Sequence, residues 1–309
     1  MFAYLLGRLA AGAVAIALLT VVVHALLAAT AGDPLVALLG PTVRQLPLEQ
    51  QARLRAEAGL DRPWARQAAD HLAGLRRGDR GTSRRSGRPV TAELRDRLPA
   101  TAALALAALP LALALGLAVG TATAAAARSW LDTLLSGLLL VGTAVPAYWT
   151  GLLLVLAFSL TLGALPSSGG GSVRHLLLPA LTLGLAAAAP LARITRSSLL
   201  DALAEPHVVA ARARGLSAAQ VLWRHGLRNA WVPILTVAGI DLGRMLGGAV
   251  FVEAVFAWPG VGLLMVDAIA ARDAPLVQGV VLVGAATVLA LSLIVDLAYL
   301  RLDPRVRYR

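Results

Sequence analysis

With 309 residues of which 58% are apolar and 15% charged, and a mean hydropathy of +0.74, the chain is too greasy for a soluble domain and reads as a polytopic membrane protein. Its charge of +11 rests on arginine, since lysine is absent, which excludes a Walker A phosphate loop and a lysine Schiff base. With no cysteine there is no thiol nucleophile, thiolate zinc site or disulfide, and the histidines at 24, 71, 175, 207 and 225 form no pair at metal-ligand spacing, so no metal site is expected.

Residues 9–29 form an apolar run of about the ~20 residues that cross a hydrocarbon core. Ala29, Thr30 and Ala31 have the A-x-A pattern of a signal-peptide cleavage site, but the run is longer than a usual signal core and more spans follow. It is read as an uncleaved anchor. Residues 33–97 are polar, with thirteen Arg against eight acids, and are expected to be partly helical with too few apolar residues for a substantial core. Further spans are predicted over 101–127, with a kink at Pro110, over 133–162, interrupted at Pro146, and over 176–192. After a polar island come 232–252 and 276–300, making six, with 253–275 joining the last two.

The polar island, 205–231, carries its own fold signals. Pro206 suits a first helical position, where its missing N–H costs nothing. Gly215 ends that helix, and Ser217 with Gln220 has the spacing of a capping box, so a second helix starts at Ala218. On it Trp223, Leu227 and Trp231 recur every four residues and share a face, with Arg224 and Arg228 beside them. Such a hairpin either lies on anionic headgroups, at roughly 1 kcal/mol per Arg, or docks a soluble partner through its aromatic and Arg side chains. The residues alone leave both readings open.

Arginine counts orient the chain. With both termini cytoplasmic, the hairpin region has six Arg against two acids inside, and 253–275 has three acids and one Arg outside. The Arg-rich 33–97 segment falls outside, but loops above ~60 residues translocate largely regardless of charge. Within the spans, Asp241 and Arg244 are placed to pair on one helix face, either lining a translocation path or making a structural ion pair. His24 and Asp296 read as interfacial or interhelical hydrogen bonders. Gly239, Gly243, Gly247 and Gly248 suggest a packed helix interface.

Two other classes are weighed. The run ARARGLSAAQVLWRHG has the look of a DNA-binding helix-turn-helix, which would make a membrane-tethered regulator, but spans within a few residues on either side leave too little tether to enter a major groove. Nucleic acid is therefore not expected as a partner. Asp241, Glu253, Asp267 and Asp296 form no paired-carboxylate motif, which argues against an intramembrane enzyme.

Several ordered stretches then carry a resemblance. AARARGLSAAQVLWRHGLRNAWVPILTVAG (210–239), GGAVFVEAVFAWPGVG (247–262) and DPRVRY (303–308), together with MFAYLLGRL at the start, AGDP at 31–34 and GDRGTSRRSGRPVTAELRDRLPAT (78–101), resemble the inner-membrane permeases of bacterial dipeptide, oligopeptide and nickel ABC importers. The resemblance implies an all-α membrane protein of six transmembrane helices, like a type I ABC importer permease, with a cytoplasmic helix-turn-helix coupling loop at about 196–231. It divides the chain into a first span (1–30), an extracytoplasmic region (31–98) and a permease core (99–309). Expected partners are a second, similar permease, two cytoplasmic ATPase subunits that carry ATP and Mg, an extracytoplasmic binding protein and the lipid bilayer, with no cofactor and no catalysis on this chain.

The coupling-loop residues so implied are Glu205, Ala210, Ala211, Arg212, Gly215, Ser217, Arg224, His225, Arg228 and Asn229. Cargo is expected to be a short peptide, with nickel or another metal chelate as the alternative. The chain departs from the family's general loop pattern at Val209, where glutamate is usual, and at Arg228, where proline is. Arg80 stands where relatives often have an apolar residue.

Overall fold

The computed structural model describes residues 2–29, 33–246 and 249–302. Among them every regular element is a helix, beside one isolated bridge between Thr82 and Pro89. The N-terminal apolar run folds as α1 (Phe2–Ala29). The polar segment is helical as well, with α2 (Pro34–Leu39), a 3-10 turn (Pro41–Gln45), α3 (Leu48–Glu57) and α4 (Trp64–Arg76). Asp33 organises its start: one carboxylate oxygen accepts the Leu35 N–H at 2.9 Å as an N-cap, and the other accepts Arg55 Nη2 at 2.6 Å, tying α3 to α2.

Helix α5 (Val90–Ala125) starts well before the predicted 101 and runs unbroken past Pro110. The reason lies in Val90, Leu94 and Leu98, which recur every four residues through a charged stretch and extend the helix's apolar stripe. The predicted 133–162 span is not one straight crossing. It is α6 (Trp130–Ala144) and α7 (Ala147–Leu154), the latter running on as a π-helix (Val155–Thr161), bent by 100° at the break. Pro146 has no N–H to give, and it holds Val145 extended at φ −77, ψ 125.

Then follow α8 (Val173–Ala204), α9 (Pro206–Ala213), α10 (Ala218–Gln220) with a π-helical continuation (Val221–Gly226), α11 (Leu227–Leu246), α12 (Val250–Val255), α13 (Val261–Ala270) and α14 (Ala274–Leu302). Within the predicted 232–252 span the described part of α11 runs to Leu246 and α12 begins at Val250; Gly247, Gly248 and the DPRVRY tail lie outside the described residues. Four described helices are long and apolar enough to cross a membrane, Ala10–Ala29 within α1, α5, α8 and Ala274–Ile294 within α14, and the bent pair would make a fifth. Helix α11 has 20 residues but carries Asn229, Asp241 and Arg244 among its apolar side chains. A sixth crossing there would depend on protein neighbours covering those groups, not on the helix's own hydropathy.

Contacts gather the described residues of Met1–Thr101 and Pro259–Leu289 into one unit, and those of Ala102–Trp258 and Ala290–Arg307 into another. The first unit packs Val90 and Leu94 against Val261, Leu264, Leu276, Val277 and Val280. Buried Asp273 fastens it: its carboxylate accepts Ser83 Oγ at 2.5 Å, Arg85 N at 3.1 Å and, as a cap for α14, Leu276 N at 3.3 Å. His24 of α1 bonds Gln278 of α14, so the expected interhelical role holds for it.

The second unit is built on small residues. One of its clusters joins Ala105, Ala108 and Ala112 of α5 to Ala187 and Leu191 of α8 and Ala238 and Met245 of α11. A side chain at Gly116 would place its Cβ 2.7 Å from Leu191 Cβ, and one at Gly120 would stand 2.5 Å from the Ala192 carbonyl oxygen. Lipid tails are as apolar as leucine, so close backbone approach and dispersion hold such helices together. The close crossing of α5 and α8 thus falls on these glycines. Gly243, one of the predicted interface glycines, is buried in ordinary contact range of Leu291.

Candidate functional site

The hairpin forms as its local signals predict. Pro206 opens α9 with Glu205 at the N-cap, where the Glu205 carbonyl accepts the N–H groups of Val208 at 2.9 Å and Val209 at 3.1 Å. Gly215 has φ +88 and completes a Schellman turn, in which Gly215 N donates to Arg212 O at 2.9 Å and Leu216 N to Ala211 O at 3.4 Å. Ser217 Oγ accepts Gln220 N at 3.3 Å and Gln220 Oε1 accepts Ser217 N at 3.0 Å, the reciprocal capping box.

The second helix departs from the simple pattern. Val221–Gly226 is π-helical, so Val221 and Gly226, five residues apart, return to the same face and both are buried. Gly226 fits there because a Cβ would already lie 3.2 Å from Leu203 and 3.3 Å from Leu199 of α8. Trp223, two residues past Val221, falls on the opposite side and is 62% exposed, whereas Leu227 is buried against Leu199 and Ile234. The predicted common face of Trp223, Leu227 and Trp231 is therefore split. The cause is packing against α8, which no local spacing records.

The result is a two-faced element. Val208, Ala211, Val221, Gly226, Leu227 and Ala230 are buried. Outward stand Glu205, Ala210, Arg212, Arg214, Ser217, Trp223, Arg224, Arg228 and Asn229, with His225 half-buried. Of the predicted loop residues, Ala211 therefore belongs to the packed face and most of the others to the open one. His207, not singled out from the sequence, ties the two halves: Asn229 Nδ2 lies 3.2 Å from its Nε2. A histidine one residue inside a helix start gives no local signal of that long-range bond.

Below the hairpin, α8 is clamped to α6. Arg196 Nε and Nη2 donate to Asp132 Oδ1 and Oδ2, each at 2.8 Å, and the same carboxylate accepts Arg128 N at 3.0 Å and Ser136 Oγ at 3.2 Å. Neither residue is singled out by the sequence, since the pair joins positions 64 apart. Beside the clamp, an open cavity of about 680 Å³ is lined by Ser136, Thr143, Arg193, Arg196, Ser197 and Val237, among others.

Asp241 and Arg244 do approach, with Oδ1 and Nη1 3.6 Å apart, but Asp241 is buried and the Arg244 side chain is 78% exposed. The second Asp241 oxygen has no hydrogen-bond partner among the described residues. Among the described residues no group of three or more His, Cys, Asp or Glu could hold a metal ion.

This geometry has known counterparts. The profile of the family described as binding-protein-dependent transport system inner membrane component matches residues 112–308, which contain the hairpin, the clamp and α11. The chain belongs to that family. It is a permease subunit of an ABC importer, a multi-pass protein of the inner membrane and not an enzyme, and such permeases work with a partner permease, an ATPase and a binding protein.

Over its full length the permease is 38% identical to the glutathione transport system permease protein GsiC of Salmonella typhimurium, all of which is covered. It is 36% identical over 278 residues, 90% of each chain, to the protein of that name in Escherichia coli K12. A chain of the MetNI methionine ABC transporter, solved in inward facing conformations, shares the fold with a TM-score of 0.56, at 19% identity, covering 69% of this permease and 97% of that chain.

Proposed function

We propose that this permease forms, with a second similar permease, the pathway for ATP-driven uptake of short peptides, glutathione among them. The observation that carries the reading is the full-length identity of 38% to a glutathione permease. Glutathione is itself a tripeptide, which agrees with the short-peptide cargo inferred from the sequence. ATP and Mg belong to two cytoplasmic ATPase subunits, and an extracytoplasmic binding protein delivers the cargo.

In this reading the hairpin is the coupling element and enters a cleft of the ATPase. Its open face offers Trp223 as an aromatic anchor and Arg212, Arg214, Arg224 and Arg228 as cations, while its packed face transmits displacement to α8 and α11. Both termini and the hairpin lie on the cytoplasmic side, as the arginine distribution favours. Asp241 and Arg244 are the charges assigned to the path.

The test is uptake by the importer reconstituted with its companion subunits in proteoliposomes, with labelled glutathione, a labelled dipeptide and nickel offered in turn. ATP-dependent accumulation of glutathione or the dipeptide is expected. Accumulation of nickel alone would contradict the peptide reading, and no accumulation with any of them by an intact four-subunit assembly would contradict both.

A further inference from the structure

The first unit holds a cavity that the transport reading does not use. It has a volume of about 220 Å³, the space of about seven waters at ~30 Å³ each. Arg62, Arg84, Arg272, His24, Gln67 and Trp64 line it, and among the described residues no acidic side chain does. A pocket with three guanidinium groups on its wall selects an anion.

Its position says which anion. The cavity also touches Leu27 and Ala28, at the end of the apolar run Ala10–Ala29, and Ala274, the first residue of the apolar run Ala274–Ile294. Two spans thus leave the hydrocarbon at its wall, which sets it at the depth of phospholipid phosphates. Trp64, 42% exposed, suits that level, where amphipathic rings concentrate.

Two of the cations are placed with care. Arg84 Nη2 donates to Gln67 Oε1 at 2.9 Å, a neutral acceptor that orients the group without cancelling its charge. Asp273, whose charge attracts it, is hydrogen-bonded by Ser83 Oγ and the backbone N–H groups of Arg85 and Leu276. Arg62, on the open rim, shares its charge with Asp70 at 3.2 Å.

Arg272 is the more telling case. It closes α13 by a Schellman turn, with Asp273 N donating to Ala268 O at 2.9 Å and Arg272 N to Ile269 O at 3.0 Å, so it occupies the position that glycine favours. Its φ is +51, in the left-handed region that a residue with a Cβ enters at a cost. Arg272 thus stands in the cavity lining at a position where glycine would relax the backbone.

We propose that this cavity binds the phosphate headgroup of an anionic phospholipid at the membrane surface, with Arg84 and Arg272 as its principal partners. The turn geometry supplies an unusually clean variant. Arg272→Gly removes the cation while relaxing the backbone, and its melting temperature separates loss of binding from loss of fold.

The experiment is native mass spectrometry of the full-length chain in mild detergent, with phosphatidylglycerol or phosphatidylcholine added, and with inorganic phosphate or a dipeptide as competitor. Wild type is expected to retain phosphatidylglycerol in preference to phosphatidylcholine, whose choline neutralises its phosphate. Arg272→Gly and Arg84→Gln should each lower that retention by about fivefold, with the melting temperature of Arg272→Gly in lipid-free detergent no lower than that of wild type. Equal retention by wild type and both variants, or equal retention of the two lipids, would overturn the proposal. Displacement of the lipid by millimolar phosphate or by the dipeptide would also overturn it, by assigning the cavity to a free anion or to cargo.

Discussion

Arg196 on α8 grips Asp132 on α6 with both arms of its guanidinium, and Asp132 is buried at the contact. A bidentate pair fixes direction as well as distance, so the end of α8 that leads into the hairpin cannot swing without carrying α6. Removing Arg196 strands the buried Asp132 carboxylate, and removing Asp132 leaves the half-buried Arg196 without its bidentate acceptor. The account predicts that Asp132→Asn and Arg196→Ala each depress uptake while the assembled importer still hydrolyses ATP. The double variant should lose less than the sum of the two, as expected for groups that act as a pair. Strict additivity would show the clamp to be incidental.

Gly215 supports a second prediction. A β-branched residue at φ +88 is strained by about 1–3 kcal/mol, enough to open the Schellman turn. Gly215→Val should uncouple hydrolysis from uptake, whereas Gly215→Asn, which tolerates the left-handed region better, should keep most of it. Coupling assays on the two variants read the difference.

The crossing of α5 and α8 allows a stability test. Adding a side chain at Gly116, where a Cβ meets Leu191 Cβ at 2.7 Å, forces a shift of packed backbone. Gly116→Val should cost about 1–3 kcal/mol as overpacking and lower the melting temperature in detergent. The same change at Gly7, where a Cβ would meet nothing within 4 Å among the described residues, should leave it nearly unaltered.

Acidification should act through His71. Burial first, and then the neighbouring His24, lower its pKa to about 4, with Asp79 opposing them. The folded chain thus keeps His71 neutral at pH values where the unfolded chain, near the ordinary 6.5, takes up a proton. Stability therefore falls as pH drops from about 6.5 towards 4 and is unaffected by this group above that range. Melting curves across the interval should show the slope, and His71→Gln should reduce it.

What was legible from sequence divides by the range of the forces involved. The hairpin turn is written in neighbouring residues, Pro206, Gly215 and the Ser217–Gln220 pair, and folds as read. The helix that carries the 101–127 span begins earlier, at Val90, because Val90 and Leu94 sit in a charged stretch that only the packing of Val261 and Val280 makes helical core. The π-helix at Val221–Gly226 answers to Leu199 and Leu203 on α8, and so moved Trp223 off the face it shares with Leu227 by simple spacing. The bend at Pro146 was foreseen as an interruption, but its 100° angle was not. Pairings such as Asp132 with Arg196 or His207 with Asn229 join distant residues and leave no local trace.

In the proposed assembly the open face of the hairpin meets the ATPase. The chain has no cysteine, so single cysteines can be placed at will: at Arg212, Ala219 and Trp223 on the open face, and at Val208 on the packed one. Thiol cross-linking in the assembled importer to ATPase subunits bearing cysteines around their cleft is the direct measurement. The account predicts cross-links from the three open positions and none from Val208. An assembly that co-purifies intact yet gives no cross-link from any open position would contradict it.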